Sequence, residues 1–277
     1  MILDGKKTAE KIKRQIKEEI AASGEEISLA VILVGNDPAS ELYVGNKIKA
    51  CQTTGIKSIL RRLPETATEE EIISVVRELN ADVKVDGILV QLPLPKGVDE
   101  DAVVNEVDPA KDVDALTYYM QGRLAYDDAP WAPCTPAGVI TLLDEYDVDL
   151  TGKNAVVIGR SNLAGKPLAA LMLKKNATVT LCHRKTRDIE ELTKKADVIA
   201  VSTGKIDTLT PDMVSEGAIV IDIGIHRTEK GVIGDVDPAV FDKCSYYTPV
   251  PGGVGPMTIA TLMANTLAAH RNRVKKQ

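Results

Sequence analysis

The chain has 277 residues, enough for two domains of ordinary size, and its 44% hydrophobic and 27% charged content excludes a disordered chain. Its 34 basic and 40 acidic side chains leave a net charge of −6, which offers no general attraction to nucleic acid or anionic lipid. No apolar run reaches the roughly 18 residues of a membrane span, Met1-Ile2-Leu3-Asp4-Gly5-Lys6-Lys7 carries no signal core, and Cys51, Cys134, Cys182 and Cys244 are too scattered for a metal pair or disulfide scaffold, so we expect a cytoplasmic protein without a metal.

Ala9, Ile12, Ile16 and Ile20 lie at helical spacing among charges and predict an amphipathic first helix. The apolar run Ser28 to Val34, closed by Gly35, reads as a buried parallel strand. Residues 38–53 read as a helix on which Tyr43 and Lys47, four apart, share one face and border the buried stripe. Such a pair fits a lysine snorkelling beside a packed tyrosine, and equally a half-buried lysine whose lowered pKa suits proton transfer. A strand over Lys57–Leu63, a helix over Glu69–Asn80 begun by Thr68, and a second buried strand over Asp86–Gln91 complete a βαβαβ order that predicts a parallel sheet. Ligands of such sheets bind beyond the carboxyl ends of the strands, where Gly35 and Gln91 fall. Leu92–Pro136 reads as irregular and too long for a passive connection, which points to a binding loop.

A second α/β series begins at Asn154, with strands over Ala155–Gly159, Thr178–Cys182, Asp197–Ser202 and Ala218–Gly224. The first of these runs through Gly159-Arg160-Ser161 and Gly165 into an apolar helix-like run, Leu168–Lys174. A glycine turn between a strand and a helix N-terminus suits a pyrophosphate, although Ser161 replaces the second glycine of G-x-G-x-x-G and Gly165 arrives one position late. Where an NAD site usually places an acid after the second strand, this chain has His183-Arg184-Lys185. A guanidinium can grip a 2′-phosphate, so Arg184, with Arg160 in the turn, favours NADP over NAD; a solvated helix start is the bland alternative. The chain closes on Pro249–Pro256, rich in glycine, and an apolar helix from about Met257. The basic run Arg271–Lys276 reads as the solvated end of that helix, complementing its dipole.

Several segments occur together in order: Tyr43-Val44-x-x-Lys47, Asp86–Pro95, Lys111-Asp112-Val113-Asp114, Pro133-Cys134-Thr135-Pro136, Gly159-Arg160-Ser161 and Pro249–Thr258. With them the chain, over its full length, resembles the bifunctional methylenetetrahydrofolate dehydrogenase/methenyltetrahydrofolate cyclohydrolase family (FolD). The resemblance implies a folate-binding catalytic domain over residues 1–135 and a Rossmann-like NADP-binding domain over 136–256, with the final helix, 257–277, returning to the first. It implies NADP-dependent oxidation of 5,10-methylenetetrahydrofolate to the methenyl form and its hydrolysis to 10-formyltetrahydrofolate. Tetrahydrofolate one-carbon derivatives would be the partners, bound between the domains of a homodimer. Lys47, with Tyr43 and Gln91, would be catalytic; Tyr43, Gln91, Asp114, Pro251, Gly252 and Gly253 would hold the folate. Gly159, Arg160, Ser161, Gly165, Arg184, Gly224 and Ile225 would hold the dinucleotide. Cys134 matches a position near the folate, although by itself it reads as structural.

The chain departs from the family pattern in having Ala115 for the glycine after Asp-Val-Asp, Ala164 for a valine, and Arg184 for a frequent serine. Two other readings stand beside the bifunctional enzyme: a dehydrogenase without cyclohydrolase activity, against which the retained Tyr43, Lys47 and Gln91 speak, and a dinucleotide- or folate-binding module without turnover.

Overall fold

The computed structural model describes residues 1–229 and 231–275. Its elements in chain order are α1 (Gly5–Ser23), β1 (Ser28–Val34), α2 (Pro38–Thr54), β2 (Lys57–Leu63), α3 (Glu69–Ala81), β3 (Gly87–Val90), α4 (Glu100–Asn105) and α5 (Tyr118–Ala125). Then follow α6 (Cys134–Glu145), β4 (Asn154–Ile158), α7 (Gly165–Lys174), β5 (Thr178–Cys182), α8 (Ile189–Thr193), β6 (Val198–Val201), β7 (Ile219–Asp222), β8 (His226–Thr228), β9 (Gly231–Ile233), β10 (Tyr246–Tyr247) and α9 (Val254–Val274). The chain forms two compact units. The N-terminal unit comprises Glu10–Cys134 and the chain from Ile259 onward; the C-terminal unit comprises Met1–Ala9 and Thr135–Thr258.

The N-terminal unit is built on a parallel sheet of order β2-β1-β3. Every residue of β1 is buried, as its unbroken apolar run requires of a central strand covered on both faces. On one face Ile72, Val76 and Leu79 of α3 pack under Ile32 and Val90. On the other, Ile16 and Ile20 of α1 and Leu262, Met263 and Leu267 of α9 pack against Leu29, Val31 and Leu33. Thr68 and Glu71 start α3 with a reciprocal capping box.

The expected irregular stretch from Leu92 to Pro136 contains α4, α5 and the start of α6. Asp99 and Thr117 cap the two short helices through their side chains. The C-terminal turn of α9 differs from the expected solvated end. Arg273 binds the fully buried carboxylate of Asp86 at 2.7 and 3.0 Å, and Arg271 pairs with Glu19. Lys276 of the expected basic run lies outside the described residues.

The C-terminal unit has a five-stranded parallel sheet of order β10-β7-β6-β4-β5, with the antiparallel hairpin β8-β9 beside it. Because β5 and β6 flank β4 on opposite sides, the strand order reverses at the carboxyl end of β4, the position where doubly wound sheets bind ligands. Gly159 stands there. Residues Met1–Ala9 belong to this unit: Ile2 bridges Tyr247 and the Lys6 amide donates to Gly252 O at 2.8 Å. A Cβ on Gly5 would lie 1.8 Å from Gly253 O, so only glycine lets the first turn of α1 lie against that loop. Among the described residues no helix is long and apolar enough to cross a membrane.

Candidate active site and dinucleotide cavity

Asp37 caps α2 by accepting from the Ser40 amide, and Gly55 ends the helix with φ 87°. On this fixed helix the ammonium of Lys47 donates to Gln91 Oε1 at 2.9 Å. Gln91 follows β3; its amide donates to Ile32 O of β1 and its side-chain NH2 to Leu92 O at 2.6 Å. With the NH2 so committed, the oxygen is the end left to face the lysine. The Leu92-Pro93 peptide after it is cis. Lys47 is half-buried as a residue, but its ammonium lies deep. Burial lowers its pKa below the ordinary lysine range, while the neighbouring Asp114 carboxylate draws it partly back. Tyr43 stands one turn earlier on α2 and is half-buried.

Asp114 sits in a turn held from several sides. Lys111 Nζ donates to the carbonyls of Leu79, Asn80 and Asp82 at 3.0, 2.7 and 2.8 Å, closing the C-terminus of α3. Trp131 Nε1 donates to Asp112 O at 2.7 Å, and Asn265 Nδ2 of α9 donates to Val113 O at 2.9 Å and Ala132 O at 3.0 Å. Ala115 takes a left-handed φ of 56°, a conformation that costs an L residue roughly 1–2 kcal/mol and that the glycine expected there from the resemblance would adopt freely. The turn is kept despite the substitution, with the Ala115 amide donating to Asp112 O. Cys134 is buried against Val113 O at 3.4 Å, and burial pushes its thiol pKa far up, so it stays a neutral packing group beside Asp114.

Asp112 accepts from the Thr117 amide at 2.8 Å, yet burial raises its pKa from 3.8 to about 6. Because the folded-state pKa is raised, its favourable contribution is complete below about pH 4 and is lost as pH rises through about 6. Asp112→Asn should therefore stabilise the protein by about 1–3 kcal/mol at pH 7, an advantage that disappears at pH 4. Thermal melts of both proteins across that range check it, and a constant difference would refute it.

In the C-terminal unit Gly159 has φ 120°, and a Cβ there would lie 2.0 Å from Ser202 O. A Cβ on Gly165 would lie 1.9 Å from Gly159 O, so both glycines are required for α7 to start hard against the end of β4. Ser161 Oγ accepts from the amides of Ala164 at 3.2 Å and Gly165 at 3.5 Å, which makes the serine a brace for the turn. Next to this turn lies a cavity of about 610 Å³ lined by Gly159, Arg160, Ser161, His183 and Arg184 on one side and Ser202, Thr203 and Thr208 on the other. Both guanidiniums are exposed. Gly224 is buried at the end of β7, and Ile225 packs its Cδ1 3.7 Å from the Cβ position of Gly255. Neither Gly224 nor Ile225 lines this cavity. Pro251, exposed and after a cis bond, Gly252 with φ 108° and Gly253 form the loop cradled by the N-terminal residues.

Residues 3–114 match the family described as tetrahydrofolate dehydrogenase/cyclohydrolase, catalytic domain, and residues 133–274 match its NAD(P)-binding domain. The chain belongs to this family. A Nitratiruptor relative, "Bifunctional protein FolD", is 52% identical over 98% of each chain. The bifunctional methylenetetrahydrofolate dehydrogenase/cyclohydrolase of Campylobacter jejuni superposes with a TM-score of 0.95 at 47% identity, covering 99% of both chains. The Trypanosoma brucei enzyme, solved with NADP and an inhibitor, gives 0.94 at 33% identity, covering 99% of this chain and 98% of its own.

The structure brings Lys47, Gln91, Asp114 and Cys134 of this family member together, and separately Gly159, Arg160, Ser161 and Arg184. Sequence reasoning missed Ser202, Thr203 and Thr208. The rule that parallel strands bind ligands at their carboxyl ends, applied to Val201-Ser202-Thr203-Gly204, would have found the first two.

Proposed function

We propose that the chain catalyses NADP-dependent oxidation of 5,10-methylenetetrahydrofolate and hydrolysis of the methenyl product to 10-formyltetrahydrofolate, with the residues below in the roles stated. Membership of the family supports the pair of reactions, and the observation that carries the assignment of roles is the deep Lys47 ammonium held 2.9 Å from Gln91 Oε1. Bound in that cavity, NADP⁺ would supply the hydride acceptor for the one-carbon unit. Hydride transfer asks mainly for positioning. Hydration of the methenyl cation asks in addition for proton movement at the attacking water, the task of Lys47. Burial favours the neutral amine that can take such a proton, and Gln91 orients it. Tyr43 offers a ring face and a hydroxyl to the folate. Asp114 accepts two hydrogen bonds from the pterin amidine edge, and Pro251, Gly252 and Gly253 offer backbone at close approach. Gly159, Ser161 and Gly165 seat the pyrophosphate and Arg160 and Arg184 the 2′-phosphate; Gly224 and Ile225, which lie outside that cavity, keep a cofactor role only as the family resemblance implies it.

Cytoplasmic residence, for which the four free cysteines speak, and a homodimer complete the reading. The test is an absorbance assay with methylenetetrahydrofolate and NADP⁺ or NAD⁺, following methenyl formation and its decay separately. Formation without accelerated decay would leave a dehydrogenase alone, and neither activity would leave a binding module. Asp114→Asn should reduce both activities at least about tenfold, since it replaces one acceptor of a charge-assisted pair with a donor. Loss confined to hydride transfer would remove Asp114 as the common anchor.

A further inference from the structure

We propose that Asp235 is a positioning residue for the NADP cavity, holding the loops at the ends of β6 and β7 in the form that receives the dinucleotide. The inference rests on the reading of that cavity given above. The Asp235 side chain is wholly buried, and its carboxylate reaches backward into two loops. Oδ2 accepts from the amides of Thr203 at 2.6 Å and Gly204 at 2.9 Å and from Thr203 Oγ1 at 3.0 Å. Oδ1 lies 2.7 Å from Nε2 of His226, at the start of β8. The Asp235 carbonyl accepts from the Thr208 amide at 2.7 Å, so the same residue grips both ends of the 203–208 loop. Thr203 and Thr208 line the cavity, and their hydroxyls are 2.8 Å apart.

The grip has been given room. A Cβ on Gly224 would lie 2.1 Å from Asp235 Oδ1, so glycine after β7 is what lets the carboxylate enter. Asp235 is itself held by Asp222, whose Oδ1 accepts from its amide at 2.9 Å. The Thr203–Gly204 turn lies just beyond Ser202, whose carbonyl touches the face of Gly159 that has no side chain. The position of this turn therefore sets the width of the cavity opposite the glycine turn of β4. A carboxylate taking two backbone amides and a hydroxyl supplies charge-assisted bonds that a neutral group supplies more weakly. A core hydrophobe at 235 would take from the Thr203 and Gly204 amides the acceptor that fixes them.

The test uses the intact chain carrying Asp235→Asn or Asp235→Ala. Dehydrogenase KM for NADP⁺ and kcat are measured at saturating methylenetetrahydrofolate, and cyclohydrolase activity on methenyltetrahydrofolate supplied without dinucleotide. Asp235→Asn keeps the shape and one acceptor oxygen; KM for NADP⁺ should rise about 3- to 10-fold, with a smaller change in kcat. Asp235→Ala should raise it further, by at least about tenfold, so that asparagine counts as partial rescue. Cyclohydrolase activity of the asparagine variant should stay within about twofold of the parent, because that reaction uses no hydride acceptor. An unchanged KM in Asp235→Asn overturns the proposal, and so does a parallel fall of both activities, the signature of a purely structural residue. If the alanine variant does not fold, the asparagine variant alone decides. Absence of NADP⁺-dependent turnover in the parent protein would overturn the cavity reading itself, and is thereby distinguished from failure of the Asp235 proposal.

Discussion

Lys47→Met is expected to remove methenyltetrahydrofolate hydration almost completely while hydride transfer survives in reduced form. Methionine keeps the length and apolar bulk of the lysine stem but has no proton to give or accept. General acid–base assistance is worth about 10²–10⁴-fold, and the loss should be at least that large. The substitution also leaves Gln91 Oε1 without its 2.9 Å donor. Because burial holds the Lys47 pKa below its usual 10.5, hydration in the parent should rise with pH through an apparent pKa beneath that value, as the neutral amine accumulates. The methionine variant should show no such rise. Gln91→Leu should weaken the same step, and since Gln91 accepts from the charged form, its removal should move the apparent pKa further down. The deciding measurement is the decay of methenyl absorbance with Lys47→Met enzyme shown to be folded and to bind NADP⁺. Decay at the parent rate would make Lys47 a packing lysine and dissolve the catalytic assignment of α2.

The second large effect concerns cofactor choice. Arg160 and Arg184 line the cavity beside Gly159, both exposed and free to turn toward a phosphate. Replacing either with glutamine keeps most of the stem and removes the charge. A charge-assisted hydrogen bond contributes about 1.5–3 kcal/mol, so each loss should weaken NADP⁺ about 10- to 100-fold and NAD⁺ little. The ratio of kcat/KM for the two cofactors, measured on each single variant and on the double, reads this directly. Equal losses for both cofactors would show that neither guanidinium meets the 2′-phosphate. High salt should narrow the difference between the cofactors in the parent, since both side chains are exposed.

Much of this was legible from residue order. The run Ser28–Val34, closed by Gly35, read as a buried parallel strand, and every residue of it is buried. The glycine turn at Gly159 announced a strand-to-helix join, and the steric test at Gly159 and Gly165 supplies the reason for both glycines. Lys47 opposite Gln91 was legible only as two strand- and helix-level hints joined by a family resemblance, since 44 residues separate them. The supporting polar groups were not legible. Asp235 reaches backbone amides 32 and 31 residues away, and Asn265 a carbonyl 152 residues away. A side chain whose partner is a main-chain atom far along the chain leaves no local pattern, because almost any residue there would present the same amide or carbonyl. Short elements escaped for a different reason. Helix α4 has six residues and β10 two, too few for either periodicity.

The way the chain is shared between its two units bears on how it is made. Glu10–Cys134 leaves a ribosome before Thr135–Thr258, but one face of its sheet is covered by Leu262, Met263 and Leu267, which are synthesised after both. Until they emerge, Leu29, Val31 and Leu33 lack part of their apolar cover, while the C-terminal unit, with Met1–Ala9 already in hand, has every residue it needs by Thr258. The half translated earlier is thus the half completed later, and a released chain truncated after residue 258 should expose apolar surface on the older half rather than the newer one.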